Sequence, residues 1–260
     1  MDAGPVSSSP VDSRVVLVTG GARGIGAATT GEFRARGSQV VACGRRHPTS
    51  PLPGVDFVQC DVRRPDQVDG MIAGIVAKYG ALDVVVNNAG GSSEVVAESL
   101  NPESFSKIVE LNLLAPFYVA QAANRVMQEQ PSGGSIVNVG SVAAIRPPPG
   151  FSAYAAAKAG LMALTRALAV EWAPRVRVNC VVVGLVRTDD AMRYYTSVEA
   201  LAETIPAKRL AEPVDVARAC VALASVDLAY VTGANLPVDG GGEVPSFFLR
   251  LSELRGGTGL

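Results

Sequence analysis

Two side chains able to exchange a proton lie one helical turn apart in this sequence. Tyr154 and Lys158 are four residues apart, and in a helix that spacing puts both side chains on one face. A free tyrosine has a pKa of about 10, and a nearby ammonium group favours the phenolate and lowers that pKa. Tyr154 could then act as general acid or base on a carbonyl/alcohol pair, while the Ser141 hydroxyl polarises the carbonyl oxygen. Taken alone, Tyr-x-x-x-Lys is more often a chance pair on a helix surface.

A glycine-rich turn follows the first apolar run of the chain. Residues 19–26 read Thr-Gly-Gly-Ala-Arg-Gly-Ile-Gly, and glycines there let a ligand phosphate approach the backbone. The helix that follows offers free N–H groups and the positive end of its dipole. The spacing Gly-x-x-x-Gly-x-Gly differs from the usual dinucleotide fingerprint, and an ordinary tight turn is the alternative. Its position between a strand and a helix favours nucleotide binding.

The end of the second predicted strand indicates which nicotinamide cofactor is used. An NAD site usually has an acidic residue about 20 residues after the turn, on the ribose hydroxyls. Here no Asp or Glu lies between Gly37 and Val55, and the strand ends in Arg45 and Arg46. A guanidinium can pair with a 2′-phosphate, and Arg23 in the turn could reach the same group. We therefore predict NADP(H) over NAD(H), with a solvated basic loop as the alternative.

Strands and helices alternate along the chain. Short valine-rich runs predict buried strands, and longer periodic stretches that end near glycine or proline predict helices. This pattern is typical of an α/β domain with a doubly wound parallel sheet and helices on both faces. Strands are predicted at 14–18, 39–43, 55–58, 82–86, 135–139, 176–182 and 235–238, and helices at 24–36, 66–79, 102–128 with a kink at Pro116, 152–172, 196–208 and 214–224.

The motifs, in their order and spacing from about residue 13 to residue 242, resemble those of the short-chain dehydrogenase/reductase superfamily. That resemblance implies a single Rossmann-like domain whose sheet has about seven strands in the order 3-2-1-4-5-6-7. The matching residues are Thr19-Gly20-x-x-x-Gly24-Ile25-Gly26, Asp61-Val62, Asn87-Asn88-Ala89-Gly90, Asn112, Ser141, Tyr154-x-x-x-Lys158, Asn179 and Gly233 through Asp239-Gly240-Gly241.

The resemblance also implies roles for these residues. It makes Tyr154 the general acid/base, and it has Lys158 lower the pKa of Tyr154 and bind the nicotinamide ribose. Ser141 orients the substrate carbonyl, and Asn112 holds a water that links Lys158 to solvent. The expected reaction interconverts a ketone and a secondary alcohol by hydride transfer. The residues expected to bind the cofactor are Gly20, Arg23, Gly24, Ile25, Gly26, Arg45, Arg46, Asp61, Val62, Asn88, Ala89, Gly90, Tyr154, Lys158, Gly184, Val186 and Thr188.

Two features depart from the family pattern. Val183-Gly184 stands where the family usually has Pro-Gly, so the glycine is kept and the rigid proline is lost. Residues 243–260 extend beyond the usual end and contain the apolar Phe247, Phe248 and Leu249. This tail packs either on its own core or against a neighbouring subunit. The resemblance predicts a homotetramer, with a homodimer as the alternative.

The substrate is expected over Ser141 and Tyr154, between a loop at 143–151 and a lid at about 187–210. These segments carry apolar and aromatic side chains, so a medium-sized hydrophobic ketone or alcohol fits better than a free sugar. Arg146 or Arg193 could meet an anionic tail, although a solvated arginine is the simpler interpretation. The remaining expected contacts are Ile145, Phe151, Met192 and Tyr195. The alternatives are a 3-oxoacyl-thioester reductase, an NAD-dependent steroid or sugar dehydrogenase, and a catalytically silent nucleotide-sensing scaffold.

Composition excludes several other classes. Among 260 residues, 23 Lys and Arg against 24 Asp and Glu give a net charge of −1, which does not favour nucleic acid or an anionic membrane. No apolar run approaches the roughly 18 residues of a membrane span. The single His47 and four scattered cysteines do not favour a metal site. Residues 1–12 are polar and lack an apolar signal sequence, so we expect a flexible N-terminal segment and a cytoplasmic protein.

Overall fold

Parallel strands form a seven-stranded sheet in the part of the chain that this computed structural model describes, residues 13–50, 52–195 and 197–243. The order β3-β2-β1-β4-β5-β6-β7 confirms the predicted topology. Neighbouring strands are parallel throughout, from Val41↔Asp56 at one edge to Val183↔Val238 at the other. The strands are β1 Val15–Thr19, β2 Gln39–Gly44, β3 Asp56–Gln59, β4 Val84–Asn87, β5 Gly134–Val139, β6 Val176–Val183 and β7 Asn235–Val238.

Helices cover both faces of the sheet, because each central strand is apolar on both sides. In β1, Val15 and Leu17 point to one hydrophobic cluster, and Val16 and Val18 point to the other. The first cluster includes residues of α2, α4 and α5, and the second includes residues of α1 and α7. The helices are α1 Gly24–Ala35, α2 Pro65–Tyr79, α3 Pro102–Val109, α4 Ala115–Glu129, α5 Ser152–Trp172, α6 Val198–Thr204 and α7 Pro213–Ala224.

The long helix predicted at 102–128 is divided, and the predicted kink at Pro116 is displaced toward the N-terminus. Residues Glu110–Leu114 form a π-helical turn between α3 and α4, and Pro116 lies in the first turn of α4. Proline lacks an N–H group, and its ring clashes with the carbonyl four residues earlier in an α-helix. The widened turn before Pro116 relieves that conflict. It also carries Asn112, which is fully buried.

The predicted lid also differs in detail from its expected helix at 196–208. A short 3₁₀ turn spans Ala191–Arg193, and α6 covers only Val198–Thr204. The expected N-terminal segment at 1–12 and the tail residues Phe247, Phe248 and Leu249 lie outside the described residues. Among the described residues, no helix is long and apolar enough to cross a membrane.

Candidate active site

The predicted catalytic and cofactor-binding residues gather at the carboxyl edge of the sheet. The glycine-rich turn follows β1, and Asn88 follows β4. Ser141 lies two residues beyond the end of β5, and Gly184 comes directly after β6. Parallel strands end at one edge, and ligands of open α/β sheets bind in the crevice there. The fold therefore brings together segments that are far apart in the sequence.

Lys158 is buried beneath this edge and is held by a backbone carbonyl. Its side chain is 3% exposed, and Nζ donates to the carbonyl oxygen of Val139 over 2.7 Å. Nζ lies 5.7 Å from the centroid of the Tyr154 ring. Burial lowers the pKa of Lys158 to about 8, and the neighbouring Cys180 thiol opposes that change only in part. Lys158 can therefore gain or lose a proton near neutral pH.

Burial raises the pKa of Tyr154 and has the largest effect. The neighbouring Ser141 side chain lowers this pKa in part, and Tyr195 raises it slightly further. From the sequence, Lys158 is expected to lower the pKa of Tyr154, whereas in the structure burial dominates and drives Lys158 itself toward its neutral form. Ser141 Oγ also accepts from the N–H of Ala143 over 3.2 Å, which fixes the hydroxyl beside Tyr154.

Asn112 ties the π-helical turn to the loop after β4. Its Nδ2 donates to the carbonyl oxygens of Gly91 and Ile108, each over 2.9 Å, and its Oδ1 accepts from the N–H of Gly91 over 3.0 Å. A Cβ atom on Gly90 would lie 2.8 Å from Asn112 Oδ1 and 3.4 Å from Lys158 Nζ. Gly90, Asn112 and Lys158 are therefore close neighbours in the fold.

The glycine-rich turn has a backbone conformation that side chains would disrupt. Gly20 and Gly24 adopt φ values of 63° and 52°, and a Cβ on Gly26 would lie 2.1 Å from the carbonyl oxygen of Gly20. The N–H groups of Asn88 and Ala89 both donate to Thr19 Oγ1 over 3.0 Å, so the β4 loop supports the turn. Arg23 makes no side-chain cap on α1, which leaves the first N–H groups of that helix for a phosphate.

The arginines predicted to bind a 2′-phosphate, Arg23, Arg45 and Arg46, differ in their surroundings. Arg45 and Arg46 are exposed after β2, and Arg45 is close enough to help lower the pKa of Asp61, whose main partner is Arg63 at 2.6 Å. Arg23 instead pairs with Asp190 of the lid over 2.7 Å. Val62 is 6% exposed and packs in the core. The basic end of the cleft therefore consists of Arg45 and Arg46.

Aromatic rings form one wall beside Tyr154. Phe151 meets Tyr154 and Tyr194 edge-on, with centroids 6.4 Å apart in both pairs. Tyr194 was not among the expected substrate contacts, although its position next to Tyr195 in the lid was a usable signal. Burial raises the pKa of the half-buried Tyr195, and the nearby backbone of Val186 opposes that change in part. Of the other expected substrate contacts, Ile145 is 56% exposed and Met192 is 36% exposed.

The arginines of the 143–151 loop and of the lid lie beside carboxylates. Arg146 pairs with Glu243 at 2.6 Å and with Asp239 at 3.3 Å, which the sequence did not reveal because the partners are far apart along the chain. Arg193 lies 4.0 Å from Asp190. Thr188, expected to contact the cofactor, accepts from the N–H of Ala191 over 3.2 Å and so caps the lid turn.

Known proteins resemble this chain over most of its length. The family described as enoyl-(acyl carrier protein) reductase matches residues 20–243. The chain is 38% identical over 241 residues to a 3alpha-hydroxysteroid dehydrogenase of Mediterraneibacter gnavus, covering 88% of this chain and 96% of the relative. It is also 38% identical over 235 residues to the 3-oxoacyl-(acyl-carrier-protein) reductase MabA of Mycobacterium tuberculosis, covering 89% and 94%. The aldohexose dehydrogenase of Thermoplasma acidophilum superposes with a TM-score of 0.83 at 33% identity, over 89% of this chain and 94% of that one.

Fold, site and relatives together define an NAD(P)-dependent oxidoreductase that acts on a ketone/alcohol pair. The chain belongs to the short-chain dehydrogenase/reductase superfamily.

Proposed function

We propose that this protein is an NADP(H)-dependent reductase or dehydrogenase of a hydrophobic ketone/alcohol pair, with Tyr154 as its general acid/base. The observation that carries the proposal is that Ser141 and the buried Lys158 both flank Tyr154, with Lys158 Nζ 5.7 Å from the centroid of the Tyr154 ring. A hydroxyl pair fixed at the carboxyl edge can both polarise a carbonyl oxygen and protonate it.

The residues fit a nicotinamide dinucleotide, because the glycines keep the turn tight and the first N–H groups of α1 have no side-chain cap. The turn and the start of α1 would hold the phosphates, and the loop around Asn88 and Gly90 would border the rest of the cofactor. When bound, the cofactor supplies or accepts a hydride at its nicotinamide ring.

The protein's own residues move the proton. In the reducing direction, the Tyr154 hydroxyl donates to the developing alkoxide while the Ser141 hydroxyl stabilises the same oxygen. Lys158 can then return a proton to Tyr154, since the pKa of Lys158 near 8 allows exchange around neutral pH. In the oxidising direction the same groups run in reverse.

The preference for NADP(H) is supported by Arg45 and Arg46 at the end of β2. The nearest carboxylate, that of Asp61, is engaged by Arg63. A charge-assisted hydrogen bond is worth about 1.5–3 kcal/mol, so we expect Arg45→Ala to reduce kcat/KM for NADPH by about 10- to 100-fold. The value for NADH should change little. An unchanged ratio of the two, or a better kcat/KM with NADH in the unaltered protein, would reject this preference.

A hydrophobic substrate that is not bound to a carrier fits the site better than the alternatives. The aromatic wall of Phe151, Tyr154 and Tyr194 favours apolar rings or chains over a free sugar. A carrier-bound thioester needs a basic patch for its acidic partner, yet Arg146 and Arg193 both lie beside carboxylates. Initial rates on hydrophobic ketones, a steroid ketone, an aldohexose and acetoacetyl-CoA, each with NADPH and NADH, would discriminate between these substrates.

The decisive test is Tyr154→Phe. Loss of the general acid should lower kcat by about 10²- to 10⁴-fold and leave NADPH affinity, measured by fluorescence, nearly unchanged. Tyr79→Phe is the matched control. Tyr79 is the last residue of α2, and its hydroxyl donates to Asp56 at the start of β3, away from the site. Retained activity in Tyr154→Phe would contradict the proposal. If the unaltered protein binds NADPH but turns over no substrate, a silent sensor is favoured instead.

The homotetramer expected from the family resemblance stays a prediction. Light scattering on the purified protein would distinguish a tetramer from a dimer.

A further inference from the structure

Three polar side chains lie deep between the sheet and the helix that carries Tyr154 and Lys158. They are Asn87 at the end of β4, Asn138 in β5 and Thr165 in α5, with exposed fractions of 2%, 1% and 0%. None of them faces the crevice where a substrate would sit. Buried polar groups are costly unless they are paired, so their partners show what this cluster does.

The three side chains form a chain of hydrogen bonds that can run in only one direction. Asn87 Nδ2 donates to Asn138 Oδ1 over 2.9 Å and to the carbonyl oxygen of Pro116 over 3.1 Å. Asn138 Nδ2 donates to Thr165 Oγ1 over 2.9 Å, and Thr165 Oγ1 donates to the carbonyl oxygen of Leu161 over 2.8 Å. Both ends are backbone carbonyls, which can only accept. Neither amide can be reversed without placing two donors or two acceptors face to face.

This chain of hydrogen bonds attaches α5 to β5 close to Lys158 and Tyr154. Thr165 follows Lys158 by seven residues, which is about two helical turns and puts both on one face. Asn138 directly precedes Val139, whose carbonyl oxygen accepts from Lys158 Nζ. Two successive residues of β5 therefore hold two points on α5. Sliding or rotating the helix would break both contacts together.

The same hydrogen-bond chain also reaches the start of α4. Pro116 lies in the first turn of α4, next to the π-helical turn at Glu110–Leu114 that carries Asn112. Asn87 therefore links the sheet to α4 on one side and, through Asn138, to α5 on the other.

We propose that Asn138 and Thr165 are positioning residues that set the register of α5 on the sheet and so place Lys158 and Tyr154 for proton transfer. They act through Lys158 and do not touch the reacting atoms. This inference rests on the proposed function of the Tyr154–Lys158 pair.

Thr165→Val tests the inference, because valine keeps the shape of threonine and removes the acceptor for Asn138 Nδ2. We expect kcat to fall between about 10- and 10²-fold while the KM for NADPH changes little, as for a small misplacement of catalytic groups. The pKa that governs kcat should fall by about 0.5 to 1 unit, since a displaced Lys158 loses the carbonyl that favours its charged form.

Two matched variants accompany it. Thr165→Ser keeps the hydroxyl and should restore both kcat and the pH profile. Ser135→Ala removes another buried hydroxyl of β5, which has no hydrogen-bond partner among the described residues, and it should leave both unchanged. If Thr165→Val does not fold, Thr165→Cys keeps most of the volume with a weaker acceptor and should lie between the serine and valine variants.

The outcomes separate this inference from the proposed function. A Thr165→Val protein that melts earlier but keeps the kcat and pH profile of the parent would show a merely structural role and overturn the inference. Failure of Thr165→Ser to restore kcat would overturn it as well. Tyr154→Phe is measured in parallel: if it is active, the proposed function fails, and if it is inactive while Thr165→Val is normal, only the inference fails.

Discussion

Replacing Lys158 by methionine should remove activity and change how the stability of the fold depends on pH. Lys158 is almost fully buried, and its pKa is lowered from 10.5 to about 8. A lysine whose pKa is lower in the folded state reduces the free energy of unfolding. This reduction is largest below pH 8, where the lysine is charged in both the folded and the unfolded state. Between pH 8 and 10.5 the unfolded chain binds more protons, so stability rises with pH and the penalty disappears above pH 10.5.

The magnitude follows from that difference in pKa. The lowered pKa corresponds to a penalty of about 3 kcal/mol on the stability of the folded state at pH 7. Methionine avoids this penalty but leaves the Val139 carbonyl oxygen without its donor, which costs about 1–3 kcal/mol. We therefore expect the variant to be as stable as the parent at pH 7, or up to about 2 kcal/mol more stable. At pH 9 the parent's penalty falls to about 2 kcal/mol, so the difference in stability moves by about 1 kcal/mol in favour of the parent.

Urea unfolding of both proteins without cofactor at pH 7, 8 and 9 measures this difference. The cysteines are common to both chains, so their titration largely cancels when the two free energies are subtracted. Lys107→Met, at an exposed position paired with Glu103, is the control and should differ little from the parent at each pH. A difference for Lys158→Met that stays constant from pH 7 to 9, or that grows in favour of the variant, would refute burial as the cause.

Further predictions concern the glycine-rich turn, the core and the thiols. Gly26→Ala should abolish NADPH binding measured by fluorescence, because its Cβ would lie 2.1 Å from a backbone oxygen. Gly31→Ala is the control in the same helix: its Cβ would meet no atom within 4 Å, so the variant should keep NADPH binding and gain about 0.5–1 kcal/mol in the free energy of unfolding. Phe33→Ala should lose about 3–5 kcal/mol in urea unfolding, whereas Val170→Ala, at an 83% exposed position, should change by less than about 0.5 kcal/mol. The four cysteines are buried, and burial raises their thiol pKa values to about 11 or 12, so DTNB at pH 8 should label them slowly in the native protein and quickly in urea; rapid native labelling would contradict their burial.

Some features of the site could be predicted because they depend on local spacing. Tyr154 and Lys158 share a helix face by periodicity alone, and the glycines of the turn mark a backbone that must approach a phosphate. The kink near Pro116 was expected, yet its position was not. A proline disturbs the turn before it, and whether that turn widens or bends depends on what packs against it.

Other features depend on partners far away in sequence. Arg23 is predicted to reach the cofactor's 2′-phosphate, and the fold also gives it a partner in Asp190, which the sequence did not indicate. Arg146 meets Glu243 for the same reason. No local pattern encodes such pairs, because their members lie far apart along the chain and meet only in the folded structure.

The sequence by itself determined the alternation of strands and helices, the sheet order expected from the family motifs, and the chemical groups at the carboxyl edge. These follow from residue type and spacing along a single element. Only the tertiary structure decided that burial lowers the pKa of Lys158, and that Asn138, 27 residues away from Thr165, donates a buried hydrogen bond to it. Desolvation and buried hydrogen bonds arise where separate elements pack together, so their strength is set by the whole fold.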